Sequence, residues 1–184
     1  MRNILKYIML TVVLLVMVGI SNITGQDLVN SNKPKSVTNK KPSLAVAFVA
    51  IGEKWGCINK TGKSIINPQF DDDSYFSEGL AAVRIGKKDS STGYIDMKGT
   101  YKINPQFSWG LGFSEGLAAV VTSGIERKLG FIDKTGRYAI KPQFDNETPY
   151  PSFSQGLAAV HIGGKEGKWG FIDKKGTFVI NPQF

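Results

Sequence analysis

The chain has 184 residues, a formal net charge of +8, 21 glycines, one cysteine and one histidine. A single cysteine excludes an internal disulfide, and a lone histidine with no cysteine or acid beside it assembles neither a zinc site nor a histidine-driven nucleophile. The positive charge does not mark a nucleic-acid binder. More than half of the excess lies at Arg2, Lys6, Lys33, Lys35, Lys40 and Lys41, and the remainder is interleaved with acids rather than gathered in a stripe.

In chain order, the basic start Met1-Arg2-Asn3-Ile4-Leu5-Lys6 leads into an apolar run from Tyr7 to Ile20 and then the small, polar segment Ser21 to Gly25. That layout predicts a secretory signal peptide over 1–25, cleaved near Gly25/Gln26. The run is 14 residues long, against the ~20 that a membrane-spanning helix requires, so no stable transmembrane anchor is expected. No cysteine follows it to carry a lipid. Residues 26–43 are polar, with Lys33, Pro34, Lys35, Lys40, Lys41 and Pro42 and little to bury, and predict a disordered tether.

From Leu44 the sequence repeats. GCINKTGKSIINPQF from Gly56 recurs as GYIDMKGTYKINPQF from Gly93, GFIDKTGRYAIKPQF from Gly130 and GFIDKKGTFVINPQF from Gly170. FSEGLAAV begins at Phe76 and Phe113, FSQGLAAV at Phe153, and Leu44-AVAFV is a reduced copy. Framed on the leucines, the units are 44–79, 80–116, 117–156 and 157–184.

Each unit predicts three short strands: Leu-Ala-Ala-Val, Gly-aromatic-Ile-Asp, and a third ending at Asn-Pro-Gln-Phe. Between the second and third, Asn59, Asp96, Asp133 and Asp173 each stand three residues before a glycine. An Asx side chain that accepts from nearby amides and a glycine that tolerates positive φ suit a type I turn closed by a bulge. Proline removes a ladder donor, so it is expected to end the third strand or place it at an edge. The phenylalanine that follows is expected to pack inward in all four units. Cys57 occupies the slot of Tyr94, Phe131 and Phe171, and reads as a small buried residue. The slot before the glycine, held by Trp55, Thr92, Leu129 and Trp169, reads as half-buried.

The fold expected is therefore all-β, a tandem array of β-hairpin repeats, solenoid-like or propeller-like, in which neighbours bury one another's apolar faces. Phe184 falls at the phase of Phe70, Phe107 and Phe144, compatible with a four-unit protein or with part of a longer array. These residues resemble the WG-repeat family (KWG repeats), named for the pair seen here as Trp55-Gly56 and Trp169-Gly170. The resemblance covers about 44–184 and implies a β-hairpin array used as a binding or scaffolding surface, without known catalytic residues.

Asp96, Asp133 and Asp173 have a backbone task in their turns, so no metal site is expected. Glu78 and Glu115 share their slot with Gln155, which cannot titrate, so shape and hydrogen bonding matter there more than charge. His161 reads as a surface strand residue, and Asp71-Asp72-Asp73 as solvated turn charge. No cofactor is implied. The loops between Pro-Gln-Phe and Phe-Ser-Glu/Gln-Gly vary most, and Trp109 and Tyr150 are aromatics there that no other copy repeats. They are the candidate partner-binding residues. The function expected is that of an exported, non-catalytic binding or scaffolding module at the cell envelope or beyond, with a protein or peptide partner. A cell-envelope glycan is the alternative, since aromatic-rich hairpins stack sugars.

Overall fold

The structure, a computed structural model, describes residues 46–86, 90–146 and 151–184. The expected signal segment and tether, and Tyr150, lie outside the described residues.

The repeats fold as antiparallel meanders. β1 (Val46–Ile51), β2 (Lys54–Asn59) and β3 (Ser64–Phe70) form one sheet. β4 (Phe76–Ser77), β5 (Leu80–Ile85), β6 (Ser91–Ile95) and β7 (Tyr101–Phe107) form the second. The third runs in reverse chain order from β14 to β8: β8 (Trp109–Gly110), β9 (Ala118–Val121), β10 (Lys128–Ile132), β11 (Tyr138–Asp145), β12 (Ala158–Ile162), β13 (Lys168–Ile172) and β14 (Phe178–Ile180). Within it β11 and β12 pair only at Asp145 and His161, so two meanders meet at one residue pair. Four modules result: 46–70, 76–107, 113–145 and 153–184.

The turn between the second and third strands has the expected geometry four times. In module 3, Gly136 N donates to Asp133 O at 2.9 Å, Asp133 N donates to Arg137 O at 2.9 Å, and Gly136 has φ 84°. The Asp133 carboxylate accepts from Thr135 N, Thr135 Oγ1 and Arg137 N. Asn59 accepts in the same way from Thr61 and Lys63. The turn glycine has a second task. A β-carbon at Gly99, Gly136 or Gly176 would come within 3.1, 3.1 and 2.9 Å of Ile66, Ile103 and Ile140, each in the preceding module. Gly136→Val is accordingly expected to cost about 2 kcal/mol from the backbone conformation alone, and Asp133→Asn, which keeps the acceptor oxygen, well under half of that. Thermal unfolding of the two variants checks the order; a larger loss from Asp133→Asn would return a charge or metal role to this carboxylate.

In the first three modules the proline does not end the third strand, whereas in the fourth β14 stops at Ile180, before Pro182. β3 continues through Pro68 to Phe70, with Trp55 opposite Phe70 and Cys57 opposite Ile66. Between those pairs Gly56 alone faces Asn67, Pro68 and Gln69, a bulge where a residue without an N–H is tolerated. The same offset separates Thr92↔Phe107 from Tyr94↔Ile103 and Leu129↔Phe144 from Phe131↔Ile140.

The cores lie between modules rather than within them. Cys57, Ile66 and Phe70 pack with Ala81, Val83 and Ile95 of module 2. Tyr94, Ile103 and Phe107 pack with Phe113, Val120 and Ile132 of module 3. Phe131, Ile140 and Phe144 pack with Phe153, Val160 and Ile172 of module 4. This nearest-neighbour sharing is the solenoid arrangement, in which a module completes its core on the next one.

Sharing explains where sequence expectations depart from the structure. Phe70, Phe107 and Phe144 are buried, whereas Phe184 is 67% exposed, because the side chains that cover the other three belong to the following module. His161 is buried, not a surface residue, at 5% exposure: its ring lies 5.1 Å from that of Trp169, directly across the β12–β13 ladder. In the slot before the glycine, Trp55 and Trp169 are half-buried as expected, but Thr92 and Leu129 are buried. β8 covers Thr92, since a β-carbon at Gly110 would come 3.3 Å from its methyl. Finally, the structural counterpart of Leu80, which precedes the pair Ala81↔Ile95, is Val46, which precedes Ala47↔Ile58. The reduced first copy thus sits two residues from the alignment on Leu44, a slip that keeps each side chain on its face because strands have period 2.

A second ladder joins the leading hairpins. Ser77 and Leu80 pair around Glu78-Gly79, both at positive φ (51° and 90°) as a type I′ turn requires. Glutamate is strained in that conformation. Its compensation comes from the next module, where Gly116 N donates to the Glu78 carboxylate at 3.2 Å and Lys134 Nζ lies 3.0 Å from it. Glu115 repeats this with Gly156 N and Lys174. Ser77 and Ser114 donate across the same junctions to the carbonyls of Phe113 and Phe153.

The lysines hold both glutamates below the ordinary carboxylate range, aided by the glycine amides against the cost of desolvation. A carboxylate whose folded value is depressed contributes stability above its unfolded value and loses it as pH falls through the folded one. Thermal midpoints are therefore expected to be level at neutral pH and to decline below about 4.5, the unfolded glutamate value. In Glu78→Gln/Glu115→Gln the decline should be shallower, as read by circular dichroism across pH; an unchanged slope would remove these pairs as its source.

Candidate functional site

Loops 71–75 and 108–112, which lead into the hairpins, are held by main-chain and side-chain hydrogen bonds. In loop 71–75, Asp71 N donates to Arg84 O at 3.0 Å, and the Asp71 carboxylate takes Lys54 Nζ at 2.6 Å and Gly86 N at 2.7 Å. Ser74 Oγ donates to Ala82 O. Tyr75 is then 65% exposed.

In loop 108–112, Ser108 N donates to Val121 O and Leu111 N to Ala119 O, while the buried Tyr94 hydroxyl donates to Leu111 O at 2.8 Å. Burial raises that phenol above its ordinary value. Gly112 passes beneath Tyr75, where a β-carbon would stand 3.2 Å from the ring. The two loops are therefore adjacent. Beside them a cleft of about 140 Å³ is lined by Asp72, Asp73, Arg84, Thr92 and Trp109, with Arg84 Nη1 3.1 Å from Asp72.

Trp109 lies in this face and is half-buried. It pairs with Val121 through β8 and packs on the core of modules 3 and 4, so it also serves the fold. Tyr150, the other candidate, lies outside the described residues. Tyr75, which the sequence does not single out, meets the same criterion as Trp109. Its slot reads Gly112 and Ser152 in the next two copies. Being more exposed than Trp109 and absent from the cores, it is the cleaner probe of the face.

The remaining candidates have structural work. Asp96, Asp133 and Asp173 accept amides within their own turns. Glu78 and Glu115 bind the following hairpin. Cys57 is buried, and desolvation pushes its thiol up to about 11, away from reactivity. Among the described residues no three His, Cys, Asp or Glu side chains gather to hold a metal ion.

Stacked meanders that share their cores and carry variable loops beside a repeated hairpin define a β-repeat protein. A family model for the WG containing repeat matches residues 55–88, 93–124, 130–165 and 169–184, together more than half of the chain, and the chain belongs to that family. No curated protein matches it.

Proposed function

We propose that the chain is an exported, non-catalytic binding module that engages a protein or peptide partner through the loop face around Tyr75 and Trp109. The observation that carries this reading is the placement of Tyr75: a large aromatic, exposed, seated on a glycine of the adjacent loop and next to a cleft rimmed by Asp72, Asp73 and Arg84. Aromatics flanked by charged groups on a rigid support are the usual anchors of protein recognition. Export rests on the N-terminal signal layout, and the expected product of secretion begins at or near Gln26. An N-terminal peptide retaining Met1 in the exported material would overturn that part.

The binding test is capture of envelope and secreted proteins on the chain beside a glycan array. Tyr75→Ala is expected to leave the thermal midpoint within about 2 °C, as for a surface change, and to weaken the captured interaction by roughly tenfold. Trp109→Ala should weaken binding and also lower stability. Full affinity in a folded Tyr75→Ala/Tyr150→Ala variant would remove this face, and selective retention of a glycan in place of protein would favour the sugar-binding alternative.

A further inference from the structure

The junctions between modules carry an internal anion slot, and the middle one lacks its anion. At the first junction, the Asp71 carboxylate bridges Lys54 Nζ and Gly86 N, both under 3 Å away. At the third, the Asp145 carboxylate bridges Lys128 Nζ at 2.7 Å and Gly164 N at 2.7 Å, and lies 3.5 Å from His161 Nδ1. The cationic neighbour holds Asp145 below the ordinary aspartate range. At the second junction Ser91 stands in the place of the lysine, Ser108 in that of the aspartate, and Ser123 in that of Gly86, which is Gly163 at the third junction, one residue before the donor Gly164. The equivalence follows from the backbone, since Ser108 N donates to Val121 O as Asp71 N does to Arg84 O.

Removing lysine and aspartate together leaves a cleft of about 410 Å³ lined by Arg84, Ser90, Ser91, Ser108, Ser123 and Arg127. Among the described residues no carboxylate lines it. The hydroxyls of Ser108 and Ser123 donate to main-chain carbonyls and so are spent. Ser90 Oγ accepts from Arg84 Nε at 2.7 Å, which orients the guanidinium and leaves the Ser90 proton to donate outward. Arg84 also meets the exposed Asp72 at 3.1 Å, a solvated pair that holds the guanidinium only weakly against a competing anion.

We propose that this cleft binds a tetrahedral oxyanion, a phosphate or sulfate group, in the place that an aspartate carboxylate fills at the two flanking junctions. Two guanidinium forks and the Ser90 hydroxyl match the several outward oxygens of such a group better than the single pair that a carboxylate uses. The site shares Arg84 with the cleft beside Tyr75, but its other lining residues are its own, and it stands whether or not that face binds protein.

The test is titration of the full, ¹⁵N-labelled chain with sodium phosphate and, separately, sodium sulfate, each against sodium chloride of equal ionic strength. Saturable shifts of the Ser91, Ser108 and Ser123 amides at millimolar anion are expected, and whether phosphate, sulfate or both produce them identifies the group. Arg127→Gln and Arg84→Gln should each weaken binding by about fivefold. Ser108→Asp restores the residue found at the other junctions and should weaken it by at least about tenfold while preserving or raising the thermal midpoint. Shifts no larger than those in chloride would overturn the proposal. So would a folded Ser108→Asp variant, or an Arg84→Gln/Arg127→Gln variant, that binds as the unmodified chain does.

Discussion

Gly130→Ala is expected to lower the midpoint of thermal unfolding by roughly 10 °C, a loss of about 3 kcal/mol. In most strand interiors the same change is favourable, by about 0.5–1 kcal/mol, because glycine loses more backbone freedom on folding. Here a β-carbon would stand 2.8 Å from Pro142 N, 2.9 Å from Ile140 O and 3.0 Å from Pro142 Cα. These are backbone atoms of the bulged partner strand, so no rotamer change makes room. Gly56, Gly93 and Gly170 meet the bulges at Pro68, Pro105 and Pro182 in the same way. None of the four is at positive φ, so close approach rather than conformation requires glycine. The glycine of the Trp-Gly pair and the proline of Pro-Gln-Phe are thus two halves of one contact. Gain of stability in Gly130→Ala, measured by calorimetry, would show that the bulge relaxes and that this account is mistaken.

The second large effect is a compensation. The second-strand aromatics Tyr94, Phe131 and Phe171 lie opposite Ala82, Ala119 and Ala159, whereas Cys57 lies opposite Phe48. Each pair holds one large and one small side chain, in reversed order in module 1. Phe48 fills the space with its ring 5.5 Å from Phe76 and 6.5 Å from Phe70. Phe48→Ala is expected to cost about 3 kcal/mol through the cavity it leaves, and Cys57→Phe about 2 kcal/mol through overpacking. The double variant reproduces the pair of the other modules and should lie within about 1 kcal/mol of the unmodified chain, a coupling of the size that residues in contact show. Denaturant unfolding of all four proteins gives the cycle. Additive losses would mean that the two side chains do not share one space.

The slots that differ between copies follow the same rule of neighbours. Glu78 and Glu115 each face a glycine amide and a lysine of the next module, and the third copy carries Gln155 in this slot. Both charged copies meet a cation one module on. Lys54–Asp71 and Lys128–Asp145 likewise occur as pairs, and Ser91 and Ser108 replace both members together.

The sequence by itself determined the period, the all-β class, the three strands per unit and the turn after the second strand. These depend on hydrogen bonds closed within about five residues: an Asx acceptor, a glycine at positive φ, and alternation along a strand, all written in adjacent letters. Only the tertiary structure decided what lies across and beyond a strand. It showed that the third strand of the first three modules runs through its proline at a bulge, that His161 is covered by Trp169, that Phe48 lies opposite Cys57, and that Tyr75 rather than Trp109 is the freer aromatic of the loop face. Each of these turns on a contact with another strand or the next module, and burial belongs to the pair of surfaces that meet, not to either segment alone.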